Sequence, residues 1–165
     1  MEQYAIRRAV AADVDILVRH RRLMMEEISA VKKESIDPHK LDVFDTAYGD
    51  FLRERIDGAG LYAFIVLHGN DIAASGTASL LSGWPPTVDI PHVYDVLYVY
   101  GVYTEVQHRG RGCAATVMQA INAEAKKRGI PRVTLYASDA GKGVYERAGF
   151  ISKPSWMILQ TAVAE

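Results

Sequence analysis

The chain of 165 residues has a single cysteine, Cys113, so no disulfide can form within it. It has no pair of cysteines, and its 5 histidines show no His-x-x-x-His spacing, so no zinc pattern is present and no structural metal is expected. Long apolar runs are missing too. The longest, Leu61 to Leu67, is far short of the about 20 residues that a membrane span requires. The opening Met1-Glu2-Gln3 is not the basic start of a secretory signal, so a cytoplasmic location and no membrane partner are expected. There is no excess of charge. Lys and Arg number 19 against 20 Asp and Glu, a net charge of -1, which supplies no global field for a nucleic acid. Repeats, linkers and low-complexity tracts are absent. With 49% hydrophobic residues, 13 Gly and 6 Pro, the chain is neither disordered nor collagen-like. A chain of this length buries roughly two thirds of its unfolded surface, enough for a core without staples. Residues 1–165 are therefore read as one domain.

Hydrophobic periodicity supplies the elements. Tyr4 to Val10 reads as a strand, and Asp13 then opens a helix carrying Val14, Leu17, Val18, Leu23 and Ile28 at helical spacing. Ser35 to Pro38 breaks it. Leu41, Phe44, Tyr48, Leu52, Arg55 and Ile56 mark a second helix that stops at Gly58-Ala59-Gly60. Leu61 to Leu67 and Ile72 to Leu81, joined by Gly69-Asn70-Asp71, predict an antiparallel hairpin, followed by a Gly83-Trp84-Pro85-Pro86 loop. Asp95 to Thr104 is strand-like, and the lone Gly101 within it predicts a bulge or a close backbone approach. A helix over Cys113 to Arg128, a strand over Val133 to Tyr136, a short helix over Gly141 to Ala148 and a last pair of strand segments at Phe150 and Trp156 to Gln160 complete the chain. This order predicts an α/β architecture with a mixed sheet flanked by helices.

The segment from Val102 to Ala115 joins a strand to a helix through Gly110 and Gly112. Successive N–H groups at a helix start, free of side chains, form a cradle for phosphate oxygens, and Arg109 and Arg111 can add charge-assisted contacts. Gly110-x-Gly112-x-x-Ala115 formally satisfies a dinucleotide fingerprint. Only about 50 residues follow it, too few for further parallel strands, and no acidic residue stands about 20 positions on. A Walker loop is excluded, because Gly-Lys-Ser/Thr is missing.

Arg109-Gly110-Arg111-Gly112-Cys113-Ala114 resembles the Arg/Gln-x-x-Gly-x-Gly/Ala signature of the GNAT acyltransferase superfamily. Val133 to Phe150, a strand, a polar residue and a short helix ending Tyr145-Glu146-Arg147-Ala148-Gly149-Phe150, resembles that superfamily's second landmark. The opening Ile6-Arg7-Arg8-Ala9 with Asp13 is similar to the family start, and the element order agrees along nearly the whole chain. The resemblance implies a mostly antiparallel sheet with a splayed central strand pair, acetyl-CoA as co-substrate and transfer of its acetyl group to a primary amine, with no metal.

By the same resemblance, Val102, Tyr103 and Thr104 would pair with the pantetheine arm, the N–H near Val102 would face the thioester oxygen, and Arg109, Gly110, Arg111, Gly112, Cys113 and Ala114 would hold the pyrophosphate. Ser138 and Gly141 fall among the contacts to the cofactor arm, and Tyr145 matches the tyrosine that faces the sulfur as general acid. Cys113 would lie near the pyrophosphate, which argues for direct transfer over a cysteine nucleophile.

The acceptor is left as a small amine, an amino acid, a peptide terminus or a lysine. A lysine-like amine is neutral only about once in 2,500 at pH 7, so a base or a desolvated site is needed. The strand carries no Glu before the bulge, which leaves Glu26, Glu27, Asp95, Tyr98, Tyr100 or water. Val106 also stands where the family often has Pro. The acceptor walls are expected from Arg22 to Glu27, from Trp84-Pro85-Pro86 and from Tyr94, Tyr98 and Tyr100. A homodimer is left open. Two rival readings remain: a non-catalytic acyl-CoA sensor, and a nucleic-acid patch over His108 to Arg111 with Lys126 to Arg128, which the near-neutral charge disfavours.

Overall fold

In the computed structural model, which describes residues 4–153 and 157–159, five strands make one sheet in the order β1-β2-β3-β4-β5. The strands are β1 Tyr4–Arg8, β2 Leu61–His68, β3 Asp71–Trp84, β4 Tyr94–Thr104 and β5 Arg132–Leu135. The helices are α1 Val14–Lys32, α2 Pro38–Arg55, α3 Cys113–Lys127 and α4 Asp139–Arg147. β1 to β4 pair antiparallel, and β5 runs parallel to β4. A parallel neighbour needs a crossover, and α3 supplies it.

Helix boundaries follow local chemistry. Asp13 stands at the N-cap of α1, but its carboxylate takes Arg7 at 2.7 and 2.8 Å and the Val10 N–H at 2.8 Å. It thereby pins the end of β1 to the start of α1, and the Arg7 hydrogen bonds hold its carboxyl below the usual carboxylate range. α2 starts where Pro38 follows Asp37, whose side chain accepts from the His39 N–H at 3.0 Å.

Alternation along β2 splits the core into two layers. Tyr62 and Val66 join Ala74, Ala78, Leu97 and Val99 under the Val117, Met118, Ile121 and Ala125 stripe of α3. Leu61, Ala63 and Ile65 face the other way, onto Leu17 of α1, Tyr48 and Leu52 of α2, and Ile56 just past its end. A strand buried on both faces reads as a nearly continuous apolar run, which is what Leu61 to Leu67 is.

Two expectations are corrected. Trp84 is not in a loop: it ends β3 and pairs with Tyr94, because the irregularity between Leu81 and Trp84 absorbs Gly83 and the strand runs on until Pro85 stops it. The closing strand pair is absent at Phe150 and at residues 157–159, while Trp156 and Gln160 lie outside the described residues. The Phe150 N–H donates to the Tyr145 carbonyl at 3.0 Å after Gly149 turns at φ 92, so this residue closes α4 instead of joining a ladder.

Gly76 of β3 lets α3 approach the sheet, since a Cβ there would lie 2.3 Å from Val117 Cγ1. Gly76→Ala is expected to destabilise the fold by about 1–3 kcal/mol through overpacking. Val117→Ala in the same chain should recover part of that loss in denaturant midpoint, and independent effects of the two changes would contradict the contact.

Candidate active site

β4 and β5 pair only from Val96↔Arg132 to Val99↔Leu135, so beyond Val99 one edge of β4 is open while the other stays paired with β3 as far as Thr104. The expected bulge lies in this stretch. Tyr100 pairs with Thr77 and Tyr103 with Ser75, leaving Gly101 and Val102 opposite Gly76 alone. Gly101 has φ 67, which a side chain would resist. The extra residue reverses the faces that follow: Val102 packs in the α3 layer, and Tyr103 turns toward α1.

From Thr104 the chain passes through a 3-10 turn, Val106–His108, into the glycine loop and α3. Gly110 and Gly112 take φ 72 and 83, with no other atom within 4 Å of where a Cβ would stand. The backbone N–H groups of residues 110–115 find no backbone acceptor among the described residues; the first bond into the helix is Thr116 N–H to the Gly112 carbonyl at 3.0 Å. A run of orphaned donors at the positive end of a helix, with open space before it, suits an anion.

The side chains around this loop divide. Arg111 is exposed. Arg109 folds away from the loop: its Nη2 donates to both Glu27 oxygens at 2.7 and 2.9 Å, its Nε donates to the Thr104 carbonyl at 3.0 Å, and its guanidinium lies 5.4 Å over the Tyr103 ring. The Tyr103 hydroxyl also donates to Glu27, at 2.9 Å. Cys113 is buried beneath the loop, its thiol donating to the His108 carbonyl at 3.7 Å, and burial pushes that thiol up. A thiol so placed is a weak nucleophile.

Ser138 caps α4, its hydroxyl accepting from the Gly141 N–H at 3.3 Å. Gly141 gives room to Tyr145, because a Cβ there would lie 3.0 Å from Tyr145 Cε2. The Tyr145 ring packs edge-on to Phe150 at 6.0 Å, burial pushes its phenol up, and its hydroxyl makes no hydrogen bond among the described residues.

On the face toward α1 and α2, Tyr98 and Tyr100 stack at 5.7 Å, and the Tyr100 hydroxyl shares a 2.7 Å hydrogen bond with Ser79. Tyr94 is not beside them: it lies under Arg132, 5.2 Å away, about 20 Å along the strand from Tyr100. Asp95 is at that same far end. Glu26 pairs with Arg22 at 3.1 Å, so of the carboxylates considered as bases Glu27 alone reaches the end of β4, where a guanidinium and a phenol already hold it.

Residues that sequence reasoning passed over tie α1 to this strand end. His20 is 0% exposed; its Nδ1 shares a hydrogen bond with Ser75 Oγ at 2.8 Å and its Nε2 one with Glu105 Oε1 at 3.1 Å. Arg19 donates to the same carboxylate. Burial lowers the His20 pKa, and the Glu105 hydrogen bond offsets this only in part. The signal was its spacing of three from Leu17, which puts His20 on the apolar stripe of α1; the run Arg19-His20-Arg21-Arg22 instead suggests a solvated face.

The acetyltransferase (GNAT) family model matches residues 24–150, most of the chain, and the chain belongs to this family. A similar solved structure is that of a predicted acetyltransferase from Clostridium acetobutylicum with acetyl-CoA, 26% identical, covering 96% of each chain at a TM-score of 0.81. A GCN5-related N-acetyltransferase from Ralstonia eutropha is 23% identical over 96% of this chain and 99% of that one, at a TM-score of 0.83, and shares the fold. No curated protein matches the chain.

Because folded His20 resists a proton that the unfolded chain accepts, its contribution to stability is complete above the ordinary histidine pKa and is lost as pH falls through that range. Thermal unfolding between pH 7.5 and 5 should therefore fall more steeply for the wild type than for His20→Gln. Parallel slopes would remove His20 from the acid response.

Proposed function

We propose that this protein transfers the acetyl group of acetyl-CoA directly to a primary amine. The observation that carries the reading is the run of unpaired N–H groups at 110–115, held open by two left-handed glycines beside the unpaired edge of β4. Gly110 to Ala114 take the pyrophosphate through the backbone, with Arg111 free to add charge, while the Arg109 side chain is engaged by Glu27 and Thr104. The edge at Val102, Tyr103 and Thr104 pairs with the pantetheine arm as an added strand would, and Ser138 and Gly141 border the arm from the start of α4.

The amine nitrogen bonds to the acyl carbon as the carbon–sulfur bond breaks. The Val102 N–H faces the oxygen on which charge develops, Tyr145 gives its proton to the departing thiolate, and the surplus proton of the amine leaves through water. Burial without a partner favours a phenol that keeps its proton until an anion reaches it, which suits an acid more than a base. Direct transfer fits the buried, raised thiol of Cys113 better than an acyl-cysteine intermediate does.

Calorimetric titration with acetyl-CoA, followed by a thiol-release assay over an amine panel, tests the reading. Gly112→Asp should weaken acetyl-CoA binding at least about a hundredfold by charging and straining the cradle, and unchanged affinity would sink the site. Tyr145→Phe should lower kcat about a hundredfold with acetyl-CoA affinity nearly intact, whereas loss of both together would make the tyrosine a packing residue.

A further inference from the structure

Adjacent arginines on α1 are treated in opposite ways. Arg22 is met by three carboxylates, Glu26 at 3.1 Å, Asp42 at 2.9 Å and Asp45 at 2.6 Å. Arg21 has no carboxylate partner among the described residues. Its guanidinium sits among Phe44, Tyr48 and Tyr100, with ring centroids 5.8, 5.2 and 4.8 Å away, and its Nε and Nη1 are buried with no hydrogen-bond partner. Aromatic faces compensate a desolvated cation in part, but they leave its in-plane donors unused.

The place matters as much as the vacancy. Nη1 of Arg21 is 3.5 Å from where a Cβ on Gly101 would stand, so the guanidinium is against the bulge itself, on the face of β4 opposite the α3 layer. A carboxylate meeting the edge of the guanidinium would satisfy donors that nothing in the fold satisfies. The site holds one uncompensated charge: Arg55, the other arginine acting on Tyr100, is paired with Glu54 at 2.7 Å. One charge matches a carboxylate better than a phosphate dianion.

We infer that Arg21 is the specificity residue for an acceptor that carries a carboxylate close to its amine, an acid of the amino-acid type as opposed to a plain amine. The inference rests on the transferase reading above, since it takes the bulge as the place where the amine meets the acyl group.

Matched acceptors decide it: phenylalanine against phenethylamine and leucine against isoamylamine, compared by kcat/KM for thiol release. The amino acid of each pair should be favoured at least about tenfold, because a site built to bond a group rejects the analogue that lacks it. Arg21→Gln should collapse that ratio toward one, with acetyl-CoA affinity retained as evidence of folding, and Arg21→Lys, which keeps charge but not the planar fork, should fall between. Thiol release with no preference in the wild type, or a preference that Arg21→Gln leaves intact, overturns the inference while the transferase reading stands. An amine-free pair, 3-phenylpropionate and 3-phenylpropanamide, is titrated into the CoA-loaded protein alongside. Tighter binding of the acid through Arg21 without turnover of any amine would sustain the anion site and sink the transferase; no binding and no turnover would sink both.

Discussion

Gly101 and Val102 of β4 stand opposite Gly76 of β3 alone, and that mismatch decides which layer receives each side chain at the end of the strand. In unbroken alternation Val102 would share a face with Tyr98 and Tyr100, and Tyr103 would lie in the α3 layer. With the extra residue, Val102 fills the space beside Val117 that Gly76 leaves, and Tyr103 reaches Glu27 on α1. β4 also leaves β5 after Val99, just before the kink, so the repacking of both layers and the open edge fall in one short stretch of the strand.

α1 is fastened across this kink at two heights. The buried His20 joins Ser75 of β3 to Glu105, just past the end of β4, and about two turns further along α1, Glu27 meets Tyr103 and Arg109. The two ties differ in kind. The His20 bonds are enclosed and cost a desolvated imidazole, whereas the Glu27–Arg109 pair is nearly half exposed, so dissolved salt screens it and its geometry is soft. The glycine loop is thus hung between a firm anchor and a yielding one.

Much of this was legible in the amino acids. Periodicity located helices α1 to α4 and strands β1 to β5, Gly101 announced the bulge because no turn residues accompany it, and the glycine loop was visible because two glycines and a helix start fall together. What stayed hidden depends on long-range register. Ser75 and Glu105 stand 55 and 85 positions from His20, and no local pattern pairs them. Arg21 and Arg22 read alike as charged helix residues; only the approach of α2, with Phe44 and Tyr48 on one flank and Asp42 and Asp45 on the other, sets them apart. Gly-Trp-Pro-Pro misled as a loop because proline stops a strand at its own position and says nothing about the residue before it.

The open edge of β4 has a cost that globular proteins generally avoid, since unpaired strand backbone invites any passing extended chain to add to the sheet. Here the invitation is narrowed. The bulge twists the exposed length away from the straight line that a polypeptide strand would need, β5 covers the edge up to Val99, and the chain turns into the glycine loop beyond its far end. A flat strand cannot keep its register along such an edge over several residues. The distortion that leaves the edge open also hinders a second copy of the chain from pairing along it.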